Sequence, residues 1–416
     1  MTSAPTRSIR SLALAAVVLG LGACSGGDDA APNGTKADES AEITVSTSDA
    51  TTSTPATTSS GGSNAIASAP SVEQLAGLKL GLQPYAAVDK VTGMVVRPAD
   101  DVVYASSQTG QVWRLADPAA PILALDLSAQ TSPYEQGSER GLLGIAFSPV
   151  DGRLFVFYTD LQAQSHLVSY PMLDDGTADV NGMWPVIDVP STGAGHKGGG
   201  LSFDGPILYV ALGDGGGTNG RDAQSYESVL GSVIRIVPRT TEPSYDYPND
   251  NPYVDDPTKR PELWAKGLRE PWGFWRDPVT GIIWMADVGN HTMEEIDRMT
   301  PDQKGLNFGW YFIEGTQVNH EGAPPDAVPP LYAYLHTDVG PAAIGGRVYR
   351  GAAIPGLDEA YVFADIGGKT FAVGAGDQVT RLQLDVPGLV TGFGTGPDGE
   401  LYALTHTQGI HKIVPA

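Results

Sequence analysis

Cysteine is almost missing from this chain: Cys24 is the only one, so no intramolecular disulfide can form and no thiol pair can hold a metal. Histidine is scarce as well. The seven, at positions 166, 196, 291, 320, 336, 406 and 411, contain no i, i+4 pair and no Cys/His cluster, which leaves zinc hydrolysis without ligands. Positive charge is outweighed, with 25 Lys and Arg against 48 Asp and Glu and a formal net charge of -23 at pH 7. No basic stripe remains to follow a phosphate backbone, which argues against a nucleic-acid partner. Acidity of this kind belongs to a solvated surface. No long amphipathic helical pattern appears either, so a helical bundle has no sequence support.

What is present begins with Arg7 and Arg10 ahead of an apolar run, Leu12 to Leu21, too short to span a bilayer as a helix. This predicts a signal peptide over residues 1–23. It closes on Leu21-Gly22-Ala23-Cys24, which resembles a bacterial lipobox and implies acylation of Cys24, a membrane anchor and a place in the cell envelope, periplasmic or at the outer-membrane or cell surface. Residues 24–74 are rich in Ser, Thr and Ala with scarcely a large apolar side chain. Such a segment cannot bury enough surface to offset its ordering entropy, so a disordered tether is expected. Residues 75–416 then suffice for one large domain.

That domain reads as all-β. Short aliphatic-aromatic runs recur: Val103-Tyr104-Ala105, Leu154-Phe155-Val156, Leu208-Tyr209-Val210, Ile283-Trp284-Met285, Tyr361-Val362-Phe363 and Leu401-Tyr402-Ala403. A mean spacing of roughly 60 residues suits one four-stranded blade with generous loops, and six repeats predict a six-bladed β-propeller.

Gly195-His196-Lys197-Gly198-Gly199-Gly200 puts one imidazole on a loop whose bare backbone leaves room for a flat ligand. Imidazole titrates near neutral pH and suits a general base, although a loop histidine can equally be structural or merely exposed. Gly213-Asp214-Gly215-Gly216-Gly217 is followed by no amphipathic helix and sits in no βαβ unit, so a nucleotide-binding reading fails and a turn between strands is expected.

Taken in order, Ser138-Glu139-Arg140-Gly141-Leu142-Leu143-Gly144, the His196 loop, Gly267-Leu268-Arg269-Glu270-Pro271-Trp272-Gly273 and Ala286-Asp287-Val288-Gly289-Asn290 resemble the glucose/sorbosone dehydrogenase family, propellers that use pyrroloquinoline quinone (PQQ) and calcium. The resemblance implies oxidation of aldose sugars to lactones, with His196 taking the anomeric hydroxyl proton while hydride passes to the quinone. It assigns Arg269 to the channel mouth against the cofactor, and Lys369 and Glu139 to the cofactor and sugar side. The carbonyls of Gly289 and Asn290 would hold a cofactor-side Ca2+, and Glu295 with the carbonyl of Phe308 a second, structural one. Electrons would pass to a respiratory acceptor. Two departures stand out. Glu270 replaces the family's usual asparagine, an anion expected to repel a tricarboxylate unless calcium or a basic side chain sits between them. Leu389-Val390-Thr391 occupies the register of an Arg-x-Arg pair, removing two carboxylate partners. Two other readings stay open: a non-catalytic surface propeller binding glycan or protein, and a metal-dependent lactonase.

Overall fold

The computed structural model describes residues 69–190, 193–217 and 220–416. The expected signal peptide, Cys24 and nearly all of the tether lie outside the described residues. Among those described, no helix is long and apolar enough to cross a membrane.

Six sheets form the ring expected from the repeats: five are four-stranded and antiparallel, and that of blade 3 has six strands, one of them added in parallel. Their first strands are Val91–Arg97, Leu142–Phe147, Gly198–Asp204, Pro271–Arg276, Ala343–Val348 and Val390–Thr395, in blades 1 to 6. These strands pack side by side in succession, and the last meets the first. Closure is made by the chain's two ends: Leu80–Ala86 is the outer strand of blade 6, paired antiparallel with Gly409–Pro415. The helix Val72–Gly77 precedes it, with a capping box between Ser71 and Gln74. Its Leu75 is buried in the cluster between blades 5 and 6, so the ordered domain begins before residue 75, inside the segment expected to be tether.

Each aliphatic-aromatic run recognised in the sequence is the second strand of its blade. A propeller blade packs on both faces, which turns its middle strands into continuous apolar runs rather than alternating ones. Six hydrophobic clusters account for this burial, one at each blade-to-blade interface. The first strands crowd near the axis, where glycine is needed. A Cβ on Gly144 would land on the Gly199 carbonyl, and one on Gly273 on the backbone of Gly345.

The start of every first strand pairs with the end of its second: Gly198 with Leu212, Pro271 with Asp287, Ala343 with Asp365. Loops entering the first strands and loops leaving the second strands therefore share one end of the ring. His196, Asp214, Arg269 and Gly289 belong to these loops, and Lys369 begins the strand that follows one of them.

Candidate active site

His196 lies just before the first strand of blade 3 with φ of 52°, a left-handed conformation that costs a residue bearing a side chain and persists only when its surroundings fix it. Here they do. The Glu139 carboxylate accepts its backbone N–H, and Gly215 donates to its carbonyl at 3.0 Å. The ring Nδ1 meets Asp214 Oδ1 at 2.6 Å. Asp214 is buried and also accepts from Gly216 N (2.8 Å) and from Trp310 Nε1 at 2.7 Å. Burial pushes the Asp214 carboxyl up, but the bonds from His196, Gly216 and Trp310 outweigh that and hold it below the usual range. An anionic partner at Nδ1 places the proton there and leaves Nε2 as the basic nitrogen. Nε2 has no partner among the described residues, and the ring is 19% exposed.

Arg269 leads into the first strand of blade 4. Its Nη1 donates to Val288 O (2.9 Å), its Nη2 to Asn290 Oδ1 (3.4 Å), and its guanidinium lies 5.5 Å from the centre of the Trp310 ring. Trp310 thus touches both the arginine and the aspartate behind His196. Asp287 pins the arginine backbone, accepting from Arg269 N (2.9 Å) and Glu270 N (2.6 Å).

Glu270 corrects the expectation from sequence. Its carboxyl does not face a ligand at the mouth. It is buried, and Oε1 accepts from Gly198 N at 3.0 Å while Oε2 has no partner among the described residues. Burial first, then the charge of Glu139, push this carboxyl well above the usual range.

Lys369 stands at the same end on blade 5, exposed, with Nζ donating to Val339 O (2.7 Å) and Asp338 O (3.4 Å). Among the described residues no bond joins it to the His196 cluster. Where the arginine pair would stand, Thr391 instead receives the indole N–H of Trp272 on its carbonyl at 2.8 Å. Trp272 belongs to blade 4 and Thr391 to blade 6, so the indole reaches across to a blade that is not its neighbour. Thr391 in turn donates to Val91 O (2.6 Å) on blade 1.

The residues expected around calcium fall in two places. The N–H of Gly289 donates to Glu294 Oε2 (3.2 Å) and that of Asn290 to Glu314 Oε1 (2.9 Å), while neither carbonyl accepts a hydrogen bond among the described residues. Unengaged carbonyls on a fixed loop are suitable donors for Ca2+. Glu295 pairs in register with Asp287, and Asp297 with Met285, so three carboxyls share the face of blade 4 turned to blade 3. Phe308 packs on that face with Met285 and Met299. Both Asp297 oxygens are buried without a partner. Asp287 accepts from Arg269 N and Glu270 N and Glu295 from Gly315 N, so Asp297 alone of the three is left without donors, and a charge is rarely buried unless paired or metal-bound. Among the described residues no group of three or more acidic, cysteine or histidine side chains is placed to hold a metal ion; any cation here would rely on carbonyl oxygens.

Sequence reasoning missed Asp214, Trp310, Asp297 and Trp272. Asp214 was visible but lay in a glycine run read as a turn. A carboxylate that meets His196 through the fold, across blade 3, leaves no spacing signal.

Fold and site together define a six-bladed propeller with a carboxylate-oriented imidazole and an aromatic-backed arginine at one end. The chain belongs to the Glucose / Sorbosone dehydrogenase family, which matches over residues 101–412. Aldose sugar dehydrogenase YliI of Escherichia coli (strain K12) is 28% identical over 304 residues, 68% of this chain and 78% of that protein. The HIPL1 protein of Arabidopsis thaliana is 32% identical over 276 residues, 53% of this chain, which spans only 39% of that larger protein. A structure described as the PQQ-bound form of aldose sugar dehydrogenase from Streptomyces coelicolor superposes with a TM-score of 0.63 at 19% identity, over 83% of this chain and 99% of that one. At that identity the likeness is one of fold.

Proposed function

We propose that the chain is a PQQ- and calcium-dependent dehydrogenase oxidising aldoses to lactones. The observation that carries this is the His196–Asp214 pair, with Nε2 unpartnered among the described residues and Trp310 linking Asp214 to Arg269. Nε2 takes the proton of the sugar's anomeric hydroxyl, and Asp214 fixes the tautomer and stabilises the imidazolium that forms. When bound, PQQ supplies the hydride acceptor for C1 and calcium the Lewis acid that polarises it. Arg269, held by Val288 and Asn290, and Lys369 would orient an anionic cofactor, with Glu139 keeping the His196 loop in place. The carbonyls of Gly289 and Asn290 would hold the cofactor-side calcium, and Glu295, Asp297 and the Phe308 carbonyl a structural one. Electrons would go on to a respiratory acceptor. Acylation of Cys24 would tether the enzyme in the cell envelope. Persistence of full lipid labelling in Cys24→Ser would sink that part.

The test is titration of the full chain with PQQ and calcium, then dye-linked oxidation of a panel of aldoses. Arg269 and Lys369 must offset the cofactor's carboxylates without an arginine pair, so binding should weaken steeply with salt. His196→Ala should cut turnover by about 10²–10⁴-fold with binding largely kept. Trp272 reaching to the Thr391 carbonyl favours one second reading, a non-catalytic propeller that binds glycan or protein. Saturating calcium with no detectable PQQ binding would establish it over the enzyme.

A further inference from the structure

We propose that Glu314 is the positioning residue of the loop beside Arg269, and that its carboxylate sets the direction in which that loop presents its carbonyl oxygens. Four successive backbone N–H groups converge on one atom, Glu314 Oε1: those of Asn290 (2.9 Å), His291 (2.8 Å), Thr292 (2.7 Å) and Met293 (3.1 Å). Consecutive N–H groups turned inward in this way form a concave site for an anion, and here the chain fills it with its own carboxylate. The loop closes tightly around that oxygen. A Cβ on Gly289 would land on the Met293 carbonyl and press on Glu314 Oε1, so only glycine fits there.

The direction of the carbonyls follows from peptide geometry. In a planar trans peptide the C=O of one residue points opposite the N–H of the next, and the peptide units of this loop are trans. The four N–H groups on Glu314 share their units with the carbonyls of Gly289, Asn290, His291 and Thr292, so all four oxygens turn away from the carboxylate. Thr292 O accepts from His336 N at 3.0 Å, while those of Gly289 and Asn290 accept no hydrogen bond among the described residues. The same loop grips Arg269 through Val288 O and Asn290 Oδ1. Glu314 is buried and held from behind. Its hairpin, Ile313–Glu314 with Gln317–Val318, docks through Gly315 N on Glu295 and Thr316 Oγ1 on Met293 Sδ at 3.7 Å. That hairpin follows Trp310, which supports Asp214, so Glu314 couples the arginine's loop to the residue behind His196. That an oxygen pair so aimed serves a cation beside the cofactor rests on the dehydrogenase reading; the ordering of the loop by Glu314 does not.

The experiment compares full-length wild type, Glu314→Gln and, in the same hairpin, Gln317→Ala by backbone amide hydrogen exchange, then titrates each with PQQ at saturating calcium. Glutamine keeps the length of the side chain but offers a neutral oxygen, and bonds to a charged acceptor are roughly twice as strong as neutral ones. Exchange at residues 290–293 should quicken by about tenfold or more in Glu314→Gln, with the strand Ile283–Asp287 unchanged, and PQQ affinity should fall by a similar factor. Gln317 is exposed, and Gln317→Ala should match wild type in both measurements. Exchange at 290–293 within about twofold of wild type in Glu314→Gln, or a quickening spread evenly over all blades, would overturn the proposal. The carboxylate would then be dispensable to the loop or merely part of the core. An equal effect in Gln317→Ala would assign the order to the hairpin and overturn it too, and quickened exchange with PQQ affinity unchanged would overturn the aiming of the carbonyls. If Glu314→Gln does not fold, Glu314→Asp, which keeps the charge but draws the oxygen back by one methylene, is read by the same exchange comparison. No cofactor enters the exchange measurement, so a wild type that binds no PQQ counts against the dehydrogenase reading while exchange still decides the role of Glu314.

Discussion

At the scale of single residues, the chemistry rests on which nitrogen of His196 is basic. Asp214 accepts from Nδ1, Trp310 and Gly216, so it is saturated with donors and firmly anionic. Replacing it with asparagine keeps the shape but gives the ring a neutral partner that can donate as readily as accept, and the imidazolium loses its counter-charge. Asp214→Asn should lower kcat by roughly 10²-fold, the low end of the span for a positioned base, with little change in cofactor affinity; a kcat within twofold of wild type would remove Asp214 from the mechanism. His196 and Arg269 were legible in the sequence because their loops carry distinctive glycines and a proline. Asp214 and Trp310 were not, since Asp214 reaches the imidazole, and Trp310 reaches Asp214, only through tertiary contact. Glu270 was legible as a departure but misread in direction, because a sequence position at a ligand-binding loop does not say whether the side chain turns inward.

Among the elements, the second strand of each blade was the most readable and the first strand the least. A second strand is flanked by hydrogen-bonded partners and covered on both faces by neighbouring blades, so selection for burial writes a plain apolar run such as Ile283-Trp284-Met285. First strands line the axis, where space is limiting and side chains must be small, so their signature is glycine at a register shift: Gly93, Gly144, Gly273 and Gly392 each stand at one. An apolar-only search passes over them. The buried acidic stretch Glu294 to Asp297 is hard to read in sequence for a related reason. A strand carrying Glu294, Glu295 and Asp297 looks solvated in sequence, yet all three are buried, because the propeller turns one face of blade 4 to blade 3 and the other to blade 5. Only the assembled ring reveals that the carboxyls on the blade 3 side are stacked together.

For the whole molecule, that stack is a weak point unless a cation fills it. Asp287, Glu295 and Asp297 lie between two blades, and burial followed by mutual repulsion pushes Glu295 well above the usual carboxylate range. Ring architecture makes a loose interface costly, since each blade is held by its two neighbours and the closing strand Leu80–Ala86 secures the circle only if every interface is shut. A cation bound only by the folded protein stabilises it by about 2.7 kcal/mol at a hundredfold excess over Kd, worth about 4 °C in a chain of this size. Chelation should lower the melting temperature by that order, and added calcium, but not added sodium at equal ionic strength, should restore it. Asp297→Asn discriminates a metal ligand from a merely buried acid: deleting one charge from an empty stack should raise the melting temperature of the chelated protein and erase most of its response to calcium. A calcium response of full size in Asp297→Asn would place the ion elsewhere, and a melting curve indifferent to both chelator and calcium would mean the stack is neutralised by protons instead.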